Sequence, residues 1–81
     1  MDWRAYIHTD PTILGGKPII KGTRISVELI LDRLANGWSE LMLFESYPTL
    51  PKEALQAVYG FMLETIKDEV FQIRSTVRQA S

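Results

Sequence analysis

Apolar and polar positions alternate in two distinct rhythms along this chain. The first 25 residues show short apolar pairs broken by turn formers. Tyr6-Ile7-His8 reads as a short strand, and Thr9-Asp10-Pro11-Thr12 as the turn cluster that stops it. Ile13-Leu14 resume an extended path. Gly15-Gly16 allow a positive-φ turn, and Pro18 drives Lys17 out of the helical region. Ile19-Ile20 form a second strand, Lys21-Gly22 turn, and Thr23-Arg24-Ile25 close the segment. The result is an irregular hairpin, too small to stand alone, which must dock on the rest of the chain.

From Ser26 the rhythm becomes helical. Ser26 is a good N-cap, and Val27, Ile30, Leu31 and Leu34 recur at helical spacing, predicting a helix over 27–36. Glu28 in the first turn suits the helix dipole, and Asn36-Gly37 is a stop signal. Ser39 then caps a short second helix through about Tyr47, with Leu41, Phe44 and Leu43 as candidates for its inward face, and Pro48 ends it. Pro51 suits the first turn of a third helix. Leu55, Val58, Tyr59, Met62, Ile66, Val70, Ile73 and Val77 continue by three- and four-residue steps, and Gly60 is the weak point, costing about 1 kcal/mol relative to Ala. An unbroken helix over 51–79 would be about 43 Å long at the α-helical rise, beyond what two shorter helices can cover.

The expected fold is therefore mainly α with a short N-terminal β-hairpin: a three-helix, helix-turn-helix-like bundle with an extended C-terminal helix. It divides into a hairpin element (1–25), the bundle (26–60) and an amphipathic C-terminal helix (61–81), all in one domain.

Composition narrows the chemistry. Among 81 residues there is no cysteine, so disulfides, thiolate metal sites and sulfur redox chemistry are excluded. A domain this small often needs a partner to supplement its core. No apolar run approaches a membrane span and the N-terminus shows no signal-peptide core, so the cytoplasm is the default expectation. His8 is the single histidine and has no cysteine to pair with as a nucleophile, so we expect a non-enzymatic protein without metal or other cofactor. Gly15-Gly16-Lys17 is followed by Pro18 and a strand rather than by Ser/Thr and a helix, which sets it apart from a phosphate loop.

Charge is nearly balanced, at −1. Residues 1–25 carry four basic and two acidic residues, the remainder five basic and eight acidic. A weakly basic hairpin thus sits on a weakly acidic helical body. Lys17, Lys21 and Arg24 form the one basic cluster. They suit phosphates or an acidic protein surface; alternatively Arg24 pairs with Glu28 or Asp32 and the lysines keep a strand edge soluble. In a helix-turn-helix module the start of the third helix enters the major groove, which makes Lys52 and Gln56 candidate DNA contacts, with Glu53 opposing them. The bland alternative is a bundle whose surface reads nothing. The stripe Tyr59, Met62, Ile66, Val70, Ile73 and Val77, flanked by Glu64, Lys67, Asp68, Arg74 and Arg78, has the pattern of a partner-binding or coiled-coil helix, unless it folds back as core. Self-pairing and binding of another protein are both open.

The run Ile13-Leu14-Gly15-Gly16-Lys17-Pro18-Ile19-Ile20-Lys21-Gly22-Thr23-Arg24-Ile25-Ser26-Val27 resembles the signature of the domain-of-unknown-function 433 family, small bacterial proteins similar to VapB-type antitoxins. The likeness continues through Leu34-Ala35-Asn36-Gly37-Trp38-Ser39, Tyr47-Pro48-Thr49-Leu50 and Ala54-Leu55, covering roughly residues 7–60. It implies a homeodomain-like fold with an N-terminal β element, often dimeric, an antitoxin role beside a PIN-like ribonuclease toxin, and autoregulation at an operator. Gly16, Lys17, Pro18, Gly22, Thr23 and Arg24 match its motif, and Gly37 and Ser39 the turn before the second helix. Pro51 departs from the Ser/Thr cap common in the family, and the tail beyond Gly60 lies outside the likeness. The expectation is a homodimeric, antitoxin-like DNA-binding regulator that neutralises a PIN-like toxin and binds operator DNA. The alternative is a dimeric protein-interaction module without nucleic-acid binding.

Overall fold

A computed structural model describes the backbone of residues 1–80 and the side chains of residues 1–68. The chain opens with a 3₁₀ turn at Trp3–Ala5, capped by Asp2, whose carboxylate accepts from the Arg4 N–H. Strands β1 (Ile7–His8) and β2 (Ile19–Ile20) then pair antiparallel, with Ile7 opposite Ile20 and His8 opposite Ile19. Three helices follow: α1 (Val27–Ala35), α2 (Glu40–Ser46) and α3 (Ala54–Ala80). The fold is mainly helical with a short N-terminal hairpin.

A two-residue strand pair cannot hold itself, and here it is stitched into the start of α1. The Ile20 N–H donates to the Ile25 carbonyl (2.9 Å), the Val27 N–H to the Pro18 carbonyl (3.0 Å), and Ile19 bridges Ser26. Ser26 therefore serves two elements at once. Its backbone ends the β segment and its hydroxyl caps α1, accepting from the Leu29 N–H at 2.9 Å. Ser39 caps α2 in the same way through the Met42 N–H. Asn36 closes α1, and Gly37, at φ 93°, takes the left-handed position that turns the chain toward α2.

The core gathers apolar side chains from both strands and all three helices: Ile7 and Ile20 from the strands, Ile25, Val27 and Ile30 around α1, Leu43 from α2, Leu50 from the connection, and Ala54, Leu55, Ala57 and Val58 from α3. The two alanines let α3 approach closely, and Trp3, Phe44, Tyr47 and Phe61 close the periphery.

Three local expectations are corrected. Leu14 is not extended: at φ 50° it begins a 3₁₀ turn through Gly16, built on the Asp10 turn by bonds from Ile13 to Asp10 and from Gly16 to Ile13. Leu41 does not face inward. It is 66% exposed, whereas Leu43, two residues on, is fully buried, because a seven-residue helix presents one narrow face to the core. The third helix starts at Ala54 rather than Pro51. The Pro51 carbonyl accepts from the Ala54 N–H (3.0 Å) in a separate turn, so the α2–α3 connection spans 47–53. Gly60 leaves α3 unbroken.

Candidate nucleic-acid and partner interfaces

The basic residues of the hairpin are exposed but do not act alike. Lys17, at the end of the Gly-rich turn, donates to Glu28 at 2.6 Å across an open hollow of about 350 Å³ that Asp32 also lines. Its charge is largely answered there, and that hollow carries two carboxylates for one lysine. The sequence had offered Glu28 or Asp32 to Arg24; instead Glu28 pairs with Lys17 and Asp32 with Arg33 (2.7 Å). Arg24 makes no ion pair among the described residues. Lys21 and Arg24 flank the Gly22 turn, the Lys21 backbone N–H being tied to the Tyr6 carbonyl. Lys52 and Gln56 are exposed at the approach to α3 and on its first turn, while Glu53 between them is half-buried.

The predicted partner stripe divides. Met62 is half-buried against the protein's own core, so it is removed from the outward face. Tyr59 stays 39% exposed, but its hydroxyl donates to Glu40 at 2.9 Å, fastening α3 to the start of α2. Burial, and then that hydrogen bond, push the Tyr59 phenol above its ordinary pKa. Ile66 is 53% exposed and Leu63 54%. Leu63 was not among the expected residues, yet Tyr59, Leu63 and Ile66 follow one another by four and three positions on one face of α3. Val70, Ile73 and Val77 lie outside the residues whose side chains are described.

Another cluster has no local signature at all. Trp3 packs edge-on against Phe61 (centroids 5.0 Å apart, planes at 87°), and its indole N–H donates to Glu64. Arg4 donates to the other Glu64 oxygen at 3.0 Å while lying over the Trp3 ring. The hydrogen bond from Trp3, then that from Arg4, hold the Glu64 carboxyl below the usual glutamate range. Glu64, expected as a solvated flank of the stripe, is an intramolecular clamp joining the N-terminal turn to α3. The partners stand some sixty positions apart, which no periodicity reveals.

Among the described residues no cluster of three or more His, Asp or Glu side chains stands ready for a cation, and no helix is long and apolar enough to cross a membrane.

A mainly helical unit of three helices, headed by a two-stranded antiparallel hairpin with a Gly-Gly-Lys-Pro turn, defines a small helix-turn-helix-like class of protein. Residues 7–62 match the family described as protein of unknown function (DUF433), and the chain belongs to that family. The crystal structure of a DUF433 member protein from Anabaena variabilis ATCC 29413 superposes with a TM-score of 0.69 at 26% identity, over 84% of this chain and 67% of that one. The uncharacterized protein y4eO of Sinorhizobium fredii (strain NBRC 101917 / NGR234) is 34% identical over 53 residues, which are 65% of this chain. The chain spans 24% of the length of that relative.

Proposed function

We propose that this protein is a non-enzymatic, antitoxin-like regulator, using the bundle to bind operator DNA and the outward face of α3 to bind protein, a PIN-like toxin or a second copy. The observation that carries the reading is the stripe Tyr59, Leu63 and Ile66, left largely open to solvent along one face of α3. Apolar side chains repeated along one face of such a helix serve a partner. The DNA half rests on Lys21, Arg24, Lys52 and Gln56, which are exposed on the hairpin turn and at the start of α3, as in a module that sets a helix end in the major groove.

The alternative, a protein-interaction module without nucleic-acid binding, is favoured by one specific feature: the Lys17–Glu28 pair removes a third of the hairpin's basic cluster. Gel shifts over fragments upstream of the reading frame separate the two. The regulator gives a sequence-specific shift that weakens steeply with salt, and Lys52→Ala lowers the salt slope by about 1. A salt-insensitive or absent shift, with the partner protein present and absent, eliminates the DNA half. Inhibition of a PIN-like ribonuclease encoded in the adjacent frame tests the antitoxin half directly.

A further inference from the structure

We infer that residues 2–5 form a releasable strap on α3, which masks Phe61 and lifts away as one piece, with Glu64 as its single polar catch, while the bundle stays folded. The consequence for a protein partner rests on reading the α3 face as protein-binding; the release of the strap does not.

The strap holds itself together. The Ala5 N–H donates to the Asp2 carbonyl (3.2 Å), the Tyr6 N–H to the Trp3 carbonyl (2.9 Å), and the Arg4 N–H to the Asp2 carboxylate (3.1 Å). Its ties to the rest of the chain are of another kind. Among the described residues two hydrogen bonds make them, one from the Trp3 indole and one from the Arg4 guanidinium, and Glu64 accepts both. No residue of the turn Trp3–Ala5 is buried, and the Arg4 and Glu64 side chains remain 61% and 45% exposed. A segment fastened by exposed polar groups and one half-buried ring opens locally, ahead of the core. The opening has a definite end. The Tyr6 carbonyl accepts from the Lys21 N–H (2.8 Å) and Ile7 is in the core, so the chain beyond Tyr6 is held by the hairpin.

The strap lies beside the open stripe. Trp3 stands edge-on to Phe61 and lies against Gly60, where an added Cβ would be 3.7 Å from it. An open hollow of about 410 Å³ has Asp2, Trp3 and Arg4 on one wall and Gly60, Leu63, Glu64 and Lys67 on the other. Leu63, the middle residue of the stripe, is therefore the strap's neighbour. Release adds the Phe61 ring to that face and leaves the Glu64 carboxylate without its two donors. A partner segment carrying an aromatic side chain beside a cation would take the places of Trp3 and Arg4, so the docked strap occupies the site of a ligand of its own chemistry.

Hydrogen exchange followed by NMR on the full chain reads strap and bundle separately. Glu64→Ala removes both acceptors and keeps a good helix former. It is expected to speed exchange of the Trp3 indole and the Ala5 and Tyr6 amides roughly tenfold, while the core amides of Ile20 and Ile30 keep the parent's rates. The dye ANS is the probe for the uncovered ring, and its fluorescence is expected to rise about twofold or more in Glu64→Ala and in Trp3→Ala, with far-UV circular dichroism unchanged. Unchanged exchange at Trp3, Ala5 and Tyr6 in Glu64→Ala overturns the catch, and acceleration of strap and core together overturns release as a unit. Faster strap exchange without added dye binding overturns the masking. The reading of the face is judged apart from these: retained inhibition of the ribonuclease by Leu63→Lys removes that reading and leaves the exchange result standing.

Discussion

Leu43 and Leu41 sit two residues apart on one short helix, and truncating each to alanine separates the structural account from simple hydrophobic patterning. Leu43 is completely buried and Leu41 is 66% exposed. Leu→Ala removes the equivalent of three buried methylene groups, a transfer loss of about 2.4 kcal/mol at roughly 0.8 kcal/mol each. The space left in the core closes only in part, which adds about 1 kcal/mol. Leu43→Ala should therefore cost about 3–4 kcal/mol, and at this chain length that lowers the thermal midpoint by roughly 15–25 °C. Leu41→Ala removes side-chain area already in water and should stay within about 0.5 kcal/mol of the parent. Urea and thermal unfolding followed by far-UV circular dichroism, at one fixed protein concentration so that any association contributes equally, give both values. Equal costs for the two variants, or a larger cost for Leu41→Ala, would refute the assigned orientation of α2.

Gly60→Ala should stabilise the protein by about 0.5–1 kcal/mol in the same assay: a Cβ there meets Trp3 at 3.7 Å, an ordinary contact, and the helix gains alanine's propensity. Ser26→Ala should cost about 1 kcal/mol or more and exceed Ser39→Ala in urea midpoint, because Ser26 caps α1 at a buried position where the Leu29 N–H is left poorly served, whereas Ser39 is exposed. The Glu64 clamp predicts an acid-side effect. Its carboxyl is depressed in the folded state, so its contribution is complete above the ordinary glutamate value and is lost as pH falls through the depressed one. The Trp3 indole N–H resonance should follow that step, on the acid side of the ordinary glutamate range, and Glu64→Gln should abolish the step.

Much of this protein is legible from residues a few positions apart. The two serine caps, the Asn36-Gly37 stop, the continuous third helix and the hairpin punctuated by Gly15-Gly16 and Pro18 all follow from local backbone chemistry, which acts over one or two turns. The Gly-Gly-Lys-Pro and Gly-Thr-Arg stretches likewise carry the family likeness. Tertiary structure decided everything that depends on contact across the chain. It chose Leu43 over Leu41, because apolar character marks a residue as fit for burial without saying which face the core occupies. It gave Lys17, rather than Arg24, to Glu28, because that pair forms only once the turn is folded against α1. It drew Glu64 into a clamp with Trp3 and Arg4, and moved the open stripe on α3 from Met62 to Leu63. A three- and four-residue rhythm supplies a stripe wider than one exposed face; only the bundle, by covering one edge of it, shows which residues remain in solvent.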